Sequence, residues 1–390
     1  MTKIKSNYFP ALTGIRAVAA LMVFFDHVVT APYTPLDIEG HSFFLKWTVY
    51  LAEQLHIGVP IFFVLSGFLI TTRYFHRLEL TGSWFRSYLQ NRFARIYPIY
   101  LLLTLFSFAM MIAKPIHIWY EWPASYRLLD KVVVMVLNLT LTRAFFQDLV
   151  MTGVPTAWTL TVEESFYLLA PFLLLGLKRN IKWIYLYPII LLSIGAVLVI
   201  LCTRFLPYYH LMGTMKFMLQ STFFGRCFEF IMGIGLAFWL ALRPDILPLG
   251  ARATLMGTVA IMANLVALAI IPHMFTDPIA LLLVRYLTNN VLLPGAVVVL
   301  FWGLLKERTW LRNLLETKAF DLLGKSSYAF YLLHLGVFNT LFSEYITENW
   351  AVRLIAYTLI SIALYKWVEH PLHNRLRTKQ PMVPKQVAVP

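Results

Sequence analysis

The sequence has few charged residues and no long polar stretch. Asp, Glu, Lys and Arg make up 13% of the 390 residues, whereas 59% of the residues are hydrophobic and 16% are aromatic. Apolar runs of about twenty residues, the length that crosses a bilayer as a helix, recur along the whole chain. The composition therefore predicts one all-α, membrane-embedded unit and leaves no segment for a second, soluble domain.

Cysteine is also scarce, and no metal-ligand spacing is present. The two cysteines, Cys202 and Cys227, form neither a disulfide framework nor a zinc motif. A formal net charge of +14 would suit a nucleic-acid partner, but the basic residues lie in short segments between the apolar runs. We therefore predict no bound metal, no bound cofactor and no nucleic-acid partner, with the lipid bilayer as the surroundings of the protein.

Ten apolar segments are long enough to be transmembrane helices. Both termini are predicted to be cytoplasmic, because the inner segments then hold 21 Lys and Arg and the outer loops hold 7. The apolar piece 132–142 is too short to cross and is predicted to be re-entrant or interfacial. Residues 1–376 form the predicted membrane domain and 377–390 a short polar cytoplasmic tail. The predicted spans are 11–30, 57–72, 96–113, 158–177, 183–202, 221–242, 253–271, 281–305, 327–342 and 351–368.

The first span carries an arginine and a histidine that lipid tolerates poorly. Arg16 and His27 are eleven positions apart, about three helical turns, so both leave the same face of the helix. On the predicted topology Arg16 lies toward the cytoplasmic side and His27 toward the outer side. Arg16 either extends to the interface or has a function, and its spacing leaves both open. Imidazole is too short to reach the interface and titrates near neutral pH, which favours a function for His27.

Two further segments place polar groups on membrane helices. Arg92 and Arg95 are three apart at the end of a basic inner loop, 73–95, where they either bind phosphate or only mark the cytoplasmic side. Glu163 and Tyr167 share one face of a helix that starts at the outer side, although a carboxylate there is also favoured by the helix dipole. Glu164 points about 100° away from that face.

Two polar positions in other spans have competing interpretations. His334 lies inside an apolar helix, where it is either a hydrogen-bonded core histidine or part of a site. The Ser66-Gly67 pair in the second span is expected to allow close helix packing rather than to contact substrate.

Taken in order, these segments resemble the acyltransferase-3 family, integral-membrane enzymes that O-acylate sugars of lipopolysaccharide, peptidoglycan, exopolysaccharide, nodulation factors and some antibiotics. The similarity covers nearly the whole chain. Ser165 departs from the family pattern, which usually has Gln there. Many members carry an extra extracytoplasmic hydrolase-like domain, and the chain resembles the form without it. The matching pieces are the Arg-x10-His spacing of Arg16 and His27, FFVLSGFLI from Phe62, Arg92-x2-Arg95 before Ile96-Tyr97-Pro98, WTLTVEESFY from Trp158, SSYAFYLLH ending at His334, and Glu369-His370-Pro371.

The resemblance implies an O-acyltransferase of the bacterial cytoplasmic (inner) membrane. It would move an acyl group, expected to be acetyl, from cytoplasmic acyl-CoA to a hydroxyl of a glycan or glycoside at the outer side. His27 would be the general base and Glu163 would orient it, as carboxylates orient imidazoles in other acyl transferases. Arginine groups would hold the phosphates of the donor. The substrate-binding residues would be Arg16, Arg92, Arg95, Tyr167 and His334.

Two other function classes compete with this interpretation. A transporter of a sugar-containing or lipid-linked substrate is the alternative, because intramembrane Arg, His and Glu also build substrate pathways. A membrane scaffold is a third. The cytoplasmic Arg-x2-Arg pattern favours the enzyme, and both direct transfer and an acyl-histidine intermediate stay open.

Overall fold

The computed structural model describes residues 8–30, 42–113, 125–243 and 252–378. Every named element in these ranges is a helix or a short 3-10 or π turn, which confirms the all-α prediction. Of the predicted tail 377–390, residues 379–390 lie outside the described residues. The α-helices are α1 (Pro10–Thr30), α2 (Phe43–Ala52), α3 (Gly58–Tyr74), α4 (Gly82–Ala113), α5 (Leu128–Leu139), α6 (Trp158–Arg179), α7 (Trp183–Phe205), α8 (Met215–Ser221), α9 (Phe223–Leu242), α10 (Arg252–Met274), α11 (Pro278–Leu287), α12 (Leu293–Lys306), α13 (Trp310–Leu315), α14 (Lys318–Leu333), α15 (Val337–Tyr345), α16 (Trp350–Leu364) and α17 (His370–Leu376).

The helix lengths fit a multi-pass membrane protein. Within the described ranges, nine helical segments are long and apolar enough to cross a bilayer. The predicted span 327–342 is not one of these nine. It is broken between α14 and α15, where Gly336 has a φ of 91° in the left-handed region that glycine adopts readily. The piece predicted to be re-entrant or interfacial falls largely in α5, whose 12 residues are too few for a helix that crosses.

The prediction of a loop over 73–95 is wrong from Gly82 onward. These residues begin α4, which is 32 residues long and carries both Arg92 and Arg95. At 1.5 Å per residue α4 is about 48 Å long, so part of it extends beyond a hydrocarbon core of about 30 Å. The two arginines are therefore held on a continuous helix rather than on a connection.

The helix α3 lies in the interior of the bundle, where it packs against α1, α6 and α9. Glycines allow the approach to α9: a Cβ at Gly67 would lie 2.1 Å from the carbonyl oxygen of Phe230, and one at Gly233 would lie 2.0 Å from that of Val64. Membrane helices use such small residues because van der Waals contact between backbones drives their association. The predicted close packing at Gly67 is confirmed.

We expect Gly67→Ala to destabilise the fold, because its Cβ would overlap a backbone oxygen that cannot move aside. Overpacking of a close-packed interior costs about 1–3 kcal/mol. Thermal unfolding of the detergent-solubilised protein measures the effect. Gly295→Ala is the matched control, since nothing lies within 4 Å of the added carbon there. Equal unfolding temperatures for the two variants would contradict the packing of α3 against α9.

The predicted orientation can be tested with single cysteines, since both native cysteines are buried. Asn180 and Glu348 are exposed and lie on opposite sides in the predicted topology. A membrane-impermeant maleimide should label Glu348→Cys in intact cells and Asn180→Cys only after the membrane is permeabilised. Labelling of Asn180→Cys in intact cells would show that the predicted topology is wrong, as it would be if 132–142 crossed the membrane.

Candidate active site

A cavity of about 410 Å³ lies between α1, α3, α4, α6 and α14. Its charged lining is strongly cationic, because Glu163 is the one carboxylate among the described residues that line it. Planar guanidinium groups match the geometry of phosphate and carboxylate oxygens. The cavity is therefore suited to an anionic ligand. The lining cations are Arg16, Arg73, Arg92, Arg95 and Lys325.

Arg16 on α1 is half-buried and lines this cavity, as its predicted role in substrate binding requires. Its guanidinium forms no hydrogen bond and no ion pair with any residue in the described parts of the chain. A cation inside a membrane protein is costly without a partner. Arg16 is thus available to a ligand.

Arg92 lies between two aromatic rings. Its Nη2 donates to the Tyr74 hydroxyl at 3.1 Å, and its guanidinium carbon is 5.4 Å from the ring centre of Tyr74 and 5.5 Å from that of Tyr167. The rings fix the direction of the guanidinium without neutralising its charge.

The two arginines of the predicted phosphate clamp are not equivalent, because Arg95 already has a carboxylate partner. Its Nη1 donates to the buried Glu369 at 2.9 Å. Arg73 and Lys325 also line the cavity and were missed by the sequence analysis, in which Arg73 counted only toward the basic inner segment. Lys325 is paired with Asp321 at 2.6 Å, so Arg73 is the stronger addition to the anion site.

Glu163 faces the cavity together with its predicted neighbour. Its carboxylate accepts hydrogen bonds from the Tyr167 hydroxyl at 2.5 Å and from the Ser66 hydroxyl. The shared face of Glu163 and Tyr167 is therefore confirmed. The packing role expected of the Ser66-Gly67 pair is correct for Gly67 and incomplete for Ser66, whose side chain lines the cavity.

The two residues after Glu163 point elsewhere. Glu164 accepts hydrogen bonds from the Tyr97 hydroxyl at 3.0 and 3.2 Å, and Ser165 donates to the backbone carbonyl of Thr161 at 2.7 Å. Ser165, where the family pattern usually has Gln, thus forms its hydrogen bond within α6.

His27 does not pair with Glu163, and the predicted dyad is wrong. Its Nδ1 lies 2.8 Å from Nε2 of His334, and the two rings stack with their centres 5.0 Å apart. No hydrogen bond or ion pair joins His27 to Glu163 among the described residues. The sequence placed both groups near one membrane depth, but the distance between their helices follows from packing.

For two neutral imidazole rings, the hydrogen bonds assign the tautomers of both histidines. Nδ1 of His334 lies 3.2 Å from the carbonyl oxygen of Phe330, which can only accept, so this nitrogen carries the proton. Nε2 of His334 then accepts from Nδ1 of His27. His27 is left with a free lone pair on Nε2, which is the state a general base requires.

A carboxylate missed by the sequence analysis lies next to that lone pair. Asp26 is 7% exposed, and its Oδ2 is 3.9 Å from Nε2 of His27. On its other side, Oδ1 is 3.9 Å from Nδ1 of His56. Asp26, rather than Glu163, is the carboxylate beside His27. Within the described ranges no three His, Cys, Asp or Glu side chains group closely enough to hold a metal ion.

Tyr331 connects the cavity to the histidine pair. It lines the cavity, and its ring centre is 5.7 Å from that of His334. Its hydroxyl accepts a hydrogen bond from Thr159 on the first turn of α6 at 3.1 Å. Neither His27 nor His334 is among the described residues that line the cavity, and Tyr331 is the lining residue that contacts the pair.

Comparison with known proteins gives a consistent family. A family model described as an acyltransferase domain matches residues 9–365. The peptidoglycan O-acetyltransferase OatA of Listeria monocytogenes is 25% identical over 96% of this chain and 57% of its own. A provisionally named O-acetyltransferase of Staphylococcus aureus is 22% identical over 95% of this chain and 58% of its own. The chain thus spans little more than half the length of these relatives. No solved structure matches the chain.

The unequal arginines predict unequal effects on ligand binding. We expect Arg92→Ala to weaken the binding of CoA to the purified protein roughly tenfold to hundredfold, as for the loss of one charge-assisted hydrogen bond. Arg95→Ala should do less, since Glu369 already occupies its guanidinium. Calorimetry at low and moderate salt measures both affinities. Arg86→Ala is the matched control, being an exposed arginine of the same helix. Unchanged affinity in Arg92→Ala would leave this arginine a topology signal only.

Proposed function

The chain belongs to the acyltransferase-3 family, and from this membership we propose that it is a membrane O-acyltransferase that transfers acetyl groups. Its donor would be acyl-CoA from the cytoplasm, and its acceptor a hydroxyl of a glycan or glycoside at the outer side of the bacterial cytoplasmic membrane. Acetyl transfer to a glycan is consistent with the names of two relatives, an O-acetyltransferase and a peptidoglycan O-acetyltransferase. Family membership favours this enzyme over the alternative of a transporter.

The observation that carries the proposal is the cationic cavity, whose lining residue Tyr331 packs against the histidine pair that leaves Nε2 of His27 free. CoA is a polyanion, and its phosphates would be held by Arg92 and Arg73, with Arg95 in a lesser role. Arg16 forms no hydrogen bond or ion pair in the described part of the chain, and it would also contact the donor in the cavity. Glu163 would keep Tyr167 in place beside Arg92, since it accepts the hydrogen bond of the Tyr167 hydroxyl.

The chemical step follows from the tautomer of His27. The acceptor oxygen attacks the thioester carbonyl carbon while its proton moves to Nε2 of His27. The carbon–sulfur bond then breaks, and the proton passes from the imidazolium to the leaving thiolate. His334 keeps the Nδ1 proton of His27 in place throughout, and Asp26 lies close enough to stabilise the transient positive charge. An acyl-histidine intermediate would use the same lone pair differently: Nε2 of His27 would attack the thioester carbonyl carbon and release the thiolate, and the acceptor oxygen would then take the acyl group and give its proton to that thiolate.

Removal of the imidazole should abolish most of the transfer. General-base assistance is worth roughly 10² to 10⁴-fold, so we expect His27→Ala to lose at least about a hundredfold in rate. Asp26→Asn should lose less, because the neutral imidazole still accepts a proton. The measurement is transfer of labelled acetyl from acetyl-CoA to membrane glycan, normalised to folded protein.

Glu164→Gln is the control for that series, since this carboxylate binds Tyr97 away from the cavity. Its rate should stay close to that of the unaltered protein. Full activity in His27→Ala would exclude the proposed base. A rate for Asp26→Asn as high as that for Glu164→Gln would leave Asp26 without a role in stabilising the imidazolium.

A further inference from the structure

Arg143 is a buried cation outside the cavity that the proposed mechanism does not use. It lies between α5 and α6 and is 0% exposed. Its guanidinium donates to the backbone carbonyls of Thr152, Val154 and Pro155, the last at 3.3 Å. A buried charge without hydrogen bonds is very costly. Arg143 forms no ion pair within the described residues, so these carbonyls hold it, and it in turn fixes 152–155.

A side-chain amide fixes the same segment from a second direction. Nδ2 of Asn138 donates to the Thr152 hydroxyl at 3.0 Å. The backbone carbonyl of Asn138 accepts from the Tyr100 hydroxyl at 2.5 Å. Gly153, with φ of 70°, lies so close that a Cβ there would be 2.5 Å from Oδ1 of Asn138. Residues 152–155 are therefore held by Arg143 on one side and by Asn138 on the other.

The fixed segment packs against the break between α14 and α15. A Cβ at Gly336 would lie 2.5 Å from Cδ of Pro155 and 3.7 Å from the carbonyl oxygen of Gly153. Gly336 follows His334 by two residues, so this contact lies at the helix break next to His334. Residues 152–155 thus lie against the chain segment that immediately follows His334.

The same segment leads directly into a second contact with His334. α6 begins just after Pro155, and Thr159 in its first turn donates to the Tyr331 hydroxyl at 3.1 Å. The Tyr331 ring lies against His334, with ring centres 5.7 Å apart. A shift of 152–155 would therefore reach His334 through the helix break and through Tyr331.

We propose that Arg143 is a positioning residue for the histidine pair, holding 152–155 against Gly336 so that Nε2 of His334 stays within hydrogen-bond distance of Nδ1 of His27. The inference rests on the proposed function of His27 as the base. Arginine is required because its planar fork satisfies several carbonyls at once, whereas lysine offers a single ammonium.

The test is Arg143→Lys in the full-length protein, which keeps the charge and removes the fork. We expect the rate of acetyl transfer to fall roughly tenfold to hundredfold, the cost of about 1 Å of misplacement of a catalytic group. CoA affinity should change less than about twofold, because the cavity cations lie on other helices. Arg204→Lys is the matched control, an exposed arginine at the end of α7 that should leave the rate unchanged.

A double-mutant cycle separates positioning from general destabilisation. If Arg143 acts through His334, Arg143→Lys should add little loss in a His334→Ala background. If the losses of rate caused by Arg143→Lys and His334→Ala instead multiply in the double mutant, the inference is overturned. Should Arg143→Lys fail to fold, Pro155→Ala trims the contact with Gly336 while keeping the carbonyl, and the same cycle applies.

The cycle also distinguishes the two proposals. Loss of transfer in His27→Ala and His334→Ala with full activity in Arg143→Lys would overturn only the positioning role. Full activity in His27→Ala and His334→Ala would exclude the histidine pair as the base, and absence of transfer in the unaltered protein would overturn the proposed function itself.

Discussion

Each ionised group in the apolar interior needs a partner, and this constraint organises the structure. Several buried or half-buried arginines are paired with other parts of the chain, either with a carboxylate or with backbone carbonyls. Arg16 differs, because it lines the cavity without a hydrogen bond or ion pair among the described residues. An anionic substrate in the cavity would supply the hydrogen-bond and charge partner that this cation lacks. These paired arginines are Arg95 with Glu369 at 2.9 Å, Arg226 with Glu229 at 2.8 Å, and Arg143 with three carbonyls.

The break between α14 and α15 interrupts the helix directly after Leu333, so the His334 imidazole lies at a helix end. α14 ends at Leu333, where Nδ1 of His334 still reaches the carbonyl oxygen of Phe330, one helical turn earlier. That bond leaves Nε2 of His334 as an acceptor, which then sets the proton of His27. Gly336 allows the sharp change of direction because its φ of 91° is unfavourable for other residues. The last turn of α14 therefore sets the tautomer of His334, and Gly336 allows the chain to change direction after it.

The cavity exists only when several helices are assembled. Its cations come from α1, α3, α4 and α14, and Glu163 comes from α6. The close approach of α3 to α9 through Gly67 and Gly233 fixes the position of the helix that carries Ser66 and Arg73. Ligand binding and helix packing are therefore coupled, and a change in packing at these glycines would alter the cavity.

The sequence by itself determined the properties that depend on neighbours along the chain. Composition and run length predicted the all-α membrane fold, and the helical repeat predicted that Glu163 and Tyr167 share a face. Only the tertiary structure decided which groups meet: His27 lies against His334 and Asp26 rather than Glu163, and Arg95 is paired with Glu369. The physical reason is that helical periodicity sets direction and depth, whereas distances between helices depend on side-chain packing that no local pattern encodes.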